Sequence, residues 1–138
     1  MKMDYLREHI DGVQVITVNL EKASFLEAND FMNILDFEIE QGGKKILIDL
    51  SNCNYVDCVF LGSIIFALRK LVSSEGDIKL VKPAVSQKNF DTFHSLRIFD
   101  VFNNKNEALK SYQKVAVLSA GNFSVYDNNS AINPSFSY

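Results

Sequence analysis

The chain has 138 residues, 47% of them apolar, which is enough for one globular domain with a hydrophobic core. It carries 14 basic and 17 acidic residues, a net charge of −3, and its basic residues never cluster in runs longer than two. The acidic excess disfavours a general nucleic-acid surface, and the missing basic cluster disfavours anchoring to anionic lipids. The longest nearly apolar run, residues 59–68, is about half of the ~20 residues that a membrane-spanning helix needs. Because charges also interrupt the N-terminus, we expect no signal peptide and a cytoplasmic protein.

Metal and enzyme sites have little support in the sequence. The two cysteines, Cys53 and Cys58, match no common zinc or redox spacing, and the two histidines, His9 and His94, lack a neighbour at ligand spacing. We therefore expect free thiols, no metal and no cofactor. There is also no glycine-rich phosphate loop, Ser–His–Asp order or paired-carboxylate motif, so the sequence favours a protein that is not an enzyme.

The first third of the chain predicts a hairpin followed by a helix. β-Branched residues at 13–20 indicate a strand, which pairs with residues 3–9 through a turn at Asp11-Gly12. Ser24 and Glu27 have the spacing of a capping box, so a helix begins at Ser24 and ends before Gly42-Gly43. Its predicted buried face consists of Ala28, Phe31, Met32, Leu35 and Ile39.

The rest of the chain alternates strands and helices. Apolar runs at 45–50 and 77–81 predict strands that are buried on both faces, and 98–102 predicts a short edge strand. The second helix is predicted from about Leu61, with a buried stripe of Leu61, Ile64, Ile65, Leu68, Leu71 and Val72. A third helix follows Pro83 or Ser86 and carries Phe90, Phe93 and Leu96, and a last helix is capped by Asn103 or Asn104. This order predicts an α/β fold, a mixed four- to five-stranded sheet with helices packed on it.

The C-terminal end differs in composition from the rest. Serine and asparagine dominate from Leu118 to Tyr138, and the hydrophobic period disappears. We therefore predict a domain over 1–117 and a flexible tail over 118–138. Four aromatic residues leave open a second interpretation, in which the tail folds back over the domain or binds a partner: Phe123, Tyr126, Phe136 and Tyr138.

The central segment "ILIDLSNCNYVDCVFLGSIIFALRKL" resembles the signature of STAS domains, the family of anti-sigma factor antagonists. In that family a hydrophobic strand leads through a short loop to Asp-Ser-(Ser/Thr)-Gly-Leu-Gly and into a helix. Asp57 and Leu61-Gly62 fit this signature, and the likeness extends over about Met3 to Lys114. The resemblance implies a STAS-like fold and a regulator that binds a kinase-like anti-sigma factor or a related switch protein.

The phosphorylation switch of the family is altered in this chain. The resemblance places Cys58 at the position of the serine that the partner kinase phosphorylates, followed by Val59 and Phe60 where small residues are usual, and Ala23 at a position that is often acidic. Cysteine is a poor substitute acceptor for a serine kinase, so we expect no phosphorylation at Cys58. Ser24, Ser51 and Ser63 are possible replacement acceptors with no strong signal of their own.

We predict that the partner contact lies on the loop before the second helix and on the first half of that helix. Asp57 is expected to cap the helix, and Phe60 and Phe66 lie off the predicted buried stripe, although Phe60 fits the loop core equally well. The predicted partner-binding residues are Asn54, Asp57, Cys58, Val59, Phe60, Ser63, Ala67 and Lys70.

Two other functions stay open at this point. STAS domains also serve as scaffolds or subunits of transporter, lipid-trafficking and stress-signalling assemblies, which predicts a stable complex without a kinase-like component. A thiol-based redox sensor at Cys58 is the third possibility, because a helix N-terminus lowers the pKa of a thiol, although the neighbouring Asp57 opposes this.

Overall fold

The computed structural model describes residues 3–84 and 98–121, with side chains as far as residue 113 in the second range. The chain divides into two units, with the boundary between Ala108 and Leu109. The predicted helix after Pro83, with Phe90, Phe93 and Leu96, lies outside the described residues. The elements are β1 (Tyr5–Ile10), β2 (Val13–Val18), β3 (Lys22–Ala23), α1 (Phe25–Glu40), β4 (Lys45–Asp49), β5 (Tyr55–Val56), α2 (Cys58–Val72), β6 (Asp77–Val81), β7 (Asp100–Phe102) and α3 (Lys105–Gly121).

A five-stranded mixed sheet in the order β1-β2-β4-β6-β7 forms the centre of the first unit. β1 and β2 pair antiparallel through the predicted turn, where Asp11 and Gly12 both have positive φ angles of 51° and 82°. Such angles are typical of a two-residue hairpin turn, and glycine adopts them without steric cost. The pairs β2–β4, β4–β6 and β6–β7 are all parallel, which confirms the predicted α/β sheet with β7 at its edge.

Helices α1 and α2 pack on one face of this sheet. Alternate residues of the strands point to them, for example Ile16 of β2, Ile48 of β4 and Leu80 of β6, and all three are fully or almost fully buried. The residues between them, such as Val15 and Leu47, are equally buried, so the central strands are covered on both faces, as their continuous apolar sequences predict.

The predicted capping box of α1 is present. Ser24 Oγ accepts the backbone N–H of Leu26 at 3.2 Å, and Glu27 Oε1 accepts the N–H of Ser24 at 2.9 Å. The helix ends at Glu40, and Gly42 follows with a φ of 91°, the left-handed conformation that ends helices. Of the two residues predicted to cap α3, the structure shows Asn104 in this role: its Oδ1 accepts the N–H of Glu107 at 2.9 Å.

The structure differs from the sequence predictions at two helix bounds and at one residue expected to be buried. α2 begins at Cys58 rather than near Leu61, because Asp57 starts the helix three residues earlier than the apolar stripe does. Val72, predicted to be buried, is 61% exposed. α3 continues to Gly121, past Leu118, where we predict the tail to begin; residues 122–138 lie outside the described residues.

Candidate functional site

A short parallel pair of strands brings the N-termini of α1 and α2 to the same place. β3 pairs with β5 in the register Lys22–Tyr55 and Ala23–Val56, and each strand leads directly into a helix. Two residues per strand gave no period in the sequence, and the pair was not predicted. The positive ends of two helix dipoles therefore lie side by side, with eight backbone N–H groups that need acceptors.

Asp57 holds these two helix ends together. Its Oδ1 accepts the N–H of Phe60 in its own helix at 2.8 Å, which confirms the predicted cap. Its Oδ2 accepts the N–H of Phe25, the first residue of α1, also at 2.8 Å. The N–H of Asp57 donates to the carbonyl of Ala23 at 2.9 Å, so the buried Ala23 contributes through its backbone at the position where the family often has an acidic residue. One carboxylate thus binds both positive ends, and its role is structural in the first instance.

The residues immediately after Asp57 face outward. Cys58 is a free, exposed thiol, and Val59 is 55% exposed. Cys53 is different: its side chain is buried and its Sγ lies 3.7 Å from the carbonyl of Val18, as a weak donor. Burial raises the pKa of Cys53 from 9.0 to about 12, so it remains a neutral thiol at physiological pH. Cys53 is therefore a poor resolving partner for Cys58, which weakens the redox-sensor interpretation.

Three of the predicted contact residues, Phe60, Ser63 and Ala67, are buried and therefore not accessible to a partner, and for Phe60 the alternative position in the core is the one observed. Phe60 is fully buried and stacks on Phe31 of α1 with ring centroids 4.6 Å apart. Ser63 and Ala67 follow it at helical spacing on the same buried side of α2. Ser63 also donates its hydroxyl to the carbonyl of Phe60 at 2.6 Å, so it is no accessible phosphate acceptor.

The other predicted contact residues lie at the surface, in two different places. Asn54 is exposed beside β5, and its side chain donates to Glu21 Oε2 at 3.2 Å. Lys70 lies near the opposite end of α2, where it pairs with Asp36 of α1 at 2.7 Å and covers the ring of Phe66 at 4.9 Å. Lys70 is thus engaged in holding α2 to α1 and does not lie with the loop residues.

Three exposed apolar residues of this region were not predicted from the sequence. Phe25 is 63% exposed and Leu26 72% exposed in the first turn of α1, and Tyr55 is 43% exposed next to Asn54. In the sequence, Phe25 and Leu26 precede the stripe of α1 that was predicted to be buried. Two large apolar residues at the start of a helix and outside its buried stripe could have indicated an exposed apolar surface. The surface at the two helix N-termini, here called the docking corner, consists of the half-buried Asp57 and the exposed Phe25, Leu26, Asn54, Tyr55, Cys58 and Val59.

The character of the docking corner follows from its side chains. Its exposed side chains are mainly apolar, and clustered exposed apolar residues on a protein surface mark interaction sites. Among the described residues, no group of His, Cys, Asp and Glu side chains is arranged to hold a metal ion. In the same part of the chain, no helix has the length and apolar character needed to span a membrane.

Comparisons with known proteins agree with this architecture. The family model of the STAS domain matches residues 5–108. A crystal structure from Thermotoga maritima, described as a candidate anti-sigma factor antagonist, has 26% sequence identity and a TM-score of 0.67, covering 78% of this chain and 92% of that one. The anti-sigma factor antagonist SpoIIAA of Bacillus, in its unphosphorylated form, has 16% identity and a TM-score of 0.63, covering 81% and 97%.

A third solved structure of similar fold belongs to a much larger protein. The murine anion transporter Slc26a9 has 15% identity and a TM-score of 0.61, and the match covers 78% of this chain but 18% of the transporter. None of the curated proteins compared with the sequence matches it. The family model spans the sheet, both packed helices and the docking corner, and the chain therefore belongs to the STAS domain family.

Proposed function

We propose that this protein is a protein-binding regulator of the anti-sigma factor antagonist kind, acting in the cytoplasm, and that the docking corner is its contact surface. The observation that carries the proposal is the exposure of Val59, Phe25 and Leu26 around the shared helix cap at Asp57. Burying such side chains against a partner is favourable by about 25 cal/mol per Å² of apolar surface, whereas the fold gains nothing from leaving them in water.

The proposed partner is a kinase-like anti-sigma factor or a related switch protein. Membership of the STAS family and the likeness to structures described as anti-sigma factor antagonists support this choice. The mechanism is competition: when the docking corner occupies the partner, the partner releases the protein that it otherwise holds.

In this proposal no phosphate at Cys58 controls docking. The chain has a thiol at the exposed position just after the cap, where the family has a hydroxyl. A phosphate there would bring roughly −1.5 to −2 charges next to the Asp57 carboxylate and repel a docked apolar surface. Without this switch, control passes to protein abundance, to another site or to the C-terminal segment.

An affinity-capture experiment tests the proposal. The full chain is immobilised as wild type, as Val59→Asp and as Phe37→Asp. Each protein is incubated with a cell lysate of the source organism, and the retained proteins are identified by mass spectrometry. Phe37 is the matched control because it is 51% exposed on α1 but lies outside the docking corner. We expect a kinase-like protein on the wild type and on Phe37→Asp that is lost from Val59→Asp. Equal retention by all three proteins would contradict the placement of the contact.

A scaffold role in a larger assembly is the second candidate. The fold likeness to the STAS region of an anion transporter is the observation in its favour, although at 15% identity this likeness concerns the fold alone. The same experiment separates the two functions: the scaffold predicts a stable complex that contains no kinase-like component.

A further inference from the structure

The outer face of α2 is unusually apolar for a helix surface that faces solvent. The buried side of α2 consists of Phe60, Leu61, Ser63, Ile64, Ala67 and Leu71. On the opposite side, Cys58, Val59, Gly62, Phe66 and Arg69 recur at intervals of three or four residues, and Arg69 is the only charge among them, while Ile65 lies at the edge of this side and packs partly against the core. Val59 is 55% and Phe66 47% exposed. A surface helix normally has polar residues on its solvent side, and a helix that is apolar all round is normally covered.

Gly62 lies in the middle of this outer face, and nothing inside the described part of the chain requires a glycine there. A Cβ atom built on Gly62 meets no atom within 4 Å, and its φ is not positive. A glycine inside a helix nonetheless lowers stability relative to alanine, because it loses more conformational freedom on folding. A position that accepts this loss without an internal reason is suited to the close approach of another backbone.

The two ends of the outer face carry opposite charges. At the C-terminal end, Arg69 forms no ion pair with any carboxylate of the described residues, while the neighbouring Lys70 is already paired with Asp36. At the N-terminal end lie Asp57 and the carboxylate of Glu21, whose Oε2 accepts the side-chain N–H of Asn54 at 3.2 Å. Two copies of this face are therefore complementary in charge when their α2 helices run antiparallel.

We infer that the outer face of α2 pairs with the same face of a second copy of this chain, with the two helices antiparallel and crossing at Gly62. In a two-fold pair, residues before the crossing point face residues after it, so Phe66 of one copy lies opposite Cys58 of the other. Arg69 of each copy then reaches the exposed ring of Tyr55 and the carboxylates near it, which suit a guanidinium through cation–π and ionic contacts. The antiparallel arrangement also places opposite helix-dipole ends together.

This pairing covers Val59 and so competes with the proposed partner for part of the docking corner, but it does not depend on that partner. The pairing is measured with the purified chain alone. A monomeric chain would therefore leave the proposed function standing, and the lack of a captured partner would leave the pairing standing.

Sedimentation velocity of the full chain, from about 1 to about 100 µM, tests the existence of the pair. We expect a concentration-dependent dimer in the wild type and an association at least about tenfold weaker in Arg69→Glu, since the two-fold axis doubles the loss. Lys110→Glu is the matched control, because it changes the net charge equally at an exposed position of α3. A monomer throughout, or equal association of the two variants, overturns the inference.

Disulfide mapping tests the orientation. Phe66→Cys places a thiol eight residues after Cys58, about 12 Å along the helix, too far for a bond within one chain. Mild oxidation is expected to join the introduced thiol of one copy to Cys58 of the other, while Val72→Cys gives no such bond. A predominant Cys58–Cys58 bond between copies would indicate another arrangement and overturn the antiparallel pair.

Discussion

Replacing Asp57 with alanine is expected to destabilise the fold by about twice the usual cost of losing a helix cap. One N-cap side chain contributes about 1 kcal/mol, and Asp57 accepts the N–H groups of both Phe60 and Phe25 at 2.8 Å. The sum is about 2 kcal/mol, which lowers the Tm of a chain of this size by roughly 6–10 °C. Thermal and urea denaturation, followed by circular dichroism, measure the loss.

Two matched variants isolate the double role of Asp57. Asp57→Asn keeps one acceptor oxygen, so it should retain the cap of α2, lose the bond to Phe25 and be destabilised by about half as much. Asn104→Ala removes a single cap, the 2.9 Å bond to the N–H of Glu107, and should cost about 1 kcal/mol. If Asp57→Ala loses no more stability than Asn104→Ala, the carboxylate does not join the two helices.

The remaining predictions concern packing and the thiols. Gly62→Ala is expected to raise the free energy of unfolding by about 0.5–1 kcal/mol, because the added Cβ meets no atom within 4 Å. Gly76→Ala should instead lower it, because the added Cβ would lie 2.8 Å from Leu71 Cδ2 and from the carbonyl oxygen of Lys44. Urea unfolding compares the two variants, and equal effects would contradict the packing of these glycines. Phe60→Ala should cost about 3–5 kcal/mol through the loss of its stacking on Phe31, and the half-exposed Phe66→Ala much less, so similar losses would mean that Phe60 is not core. A chromogenic disulfide that reacts with free thiols should, at pH 8, label Cys58 in the folded protein and Cys53 only after unfolding. Rapid labelling of both thiols in the folded protein would refute the burial of Cys53. Because the pKa of Cys53 rises from 9.0 to about 12 on folding, its neutral form favours the native state below pH 9, and this contribution is lost as the pH rises towards 12; Cys53→Ala should flatten the alkaline decline of stability.

Local signals in the sequence were sufficient for much of the fold. The Asp11-Gly12 turn, the Ser24–Glu27 capping box and the Asp57 cap each depend on residues within four positions of one another, and all three are present. The parallel strands β4 and β6 also follow from their continuous apolar runs. These features need no knowledge of what packs against them.

The candidate site was harder to predict because its geometry comes from pairing between distant segments. The sequence gives no sign that Asp57 Oδ2 binds Phe25, 32 positions away, or that β3 and β5 align the two helices. α2 is apolar around most of its circumference, so periodicity alone could not decide which side is buried. In the structure Phe60 stacks on Phe31 of α1, and Ser63 and Ala67, on the same side of α2, are buried with it.

In the proposed function, Cys58 is not phosphorylated and docking is not controlled by a phosphate at this position. The most direct test is intact-mass analysis after incubation with ATP and a kinase that phosphorylates an ordinary anti-sigma factor antagonist, for the wild type and for Cys58→Ser. We expect a gain of about 80 Da, one phosphate, in Cys58→Ser and none at Cys58 in the wild type. A wild-type species that gains this mass, with the phosphate mapped to Cys58, would contradict it.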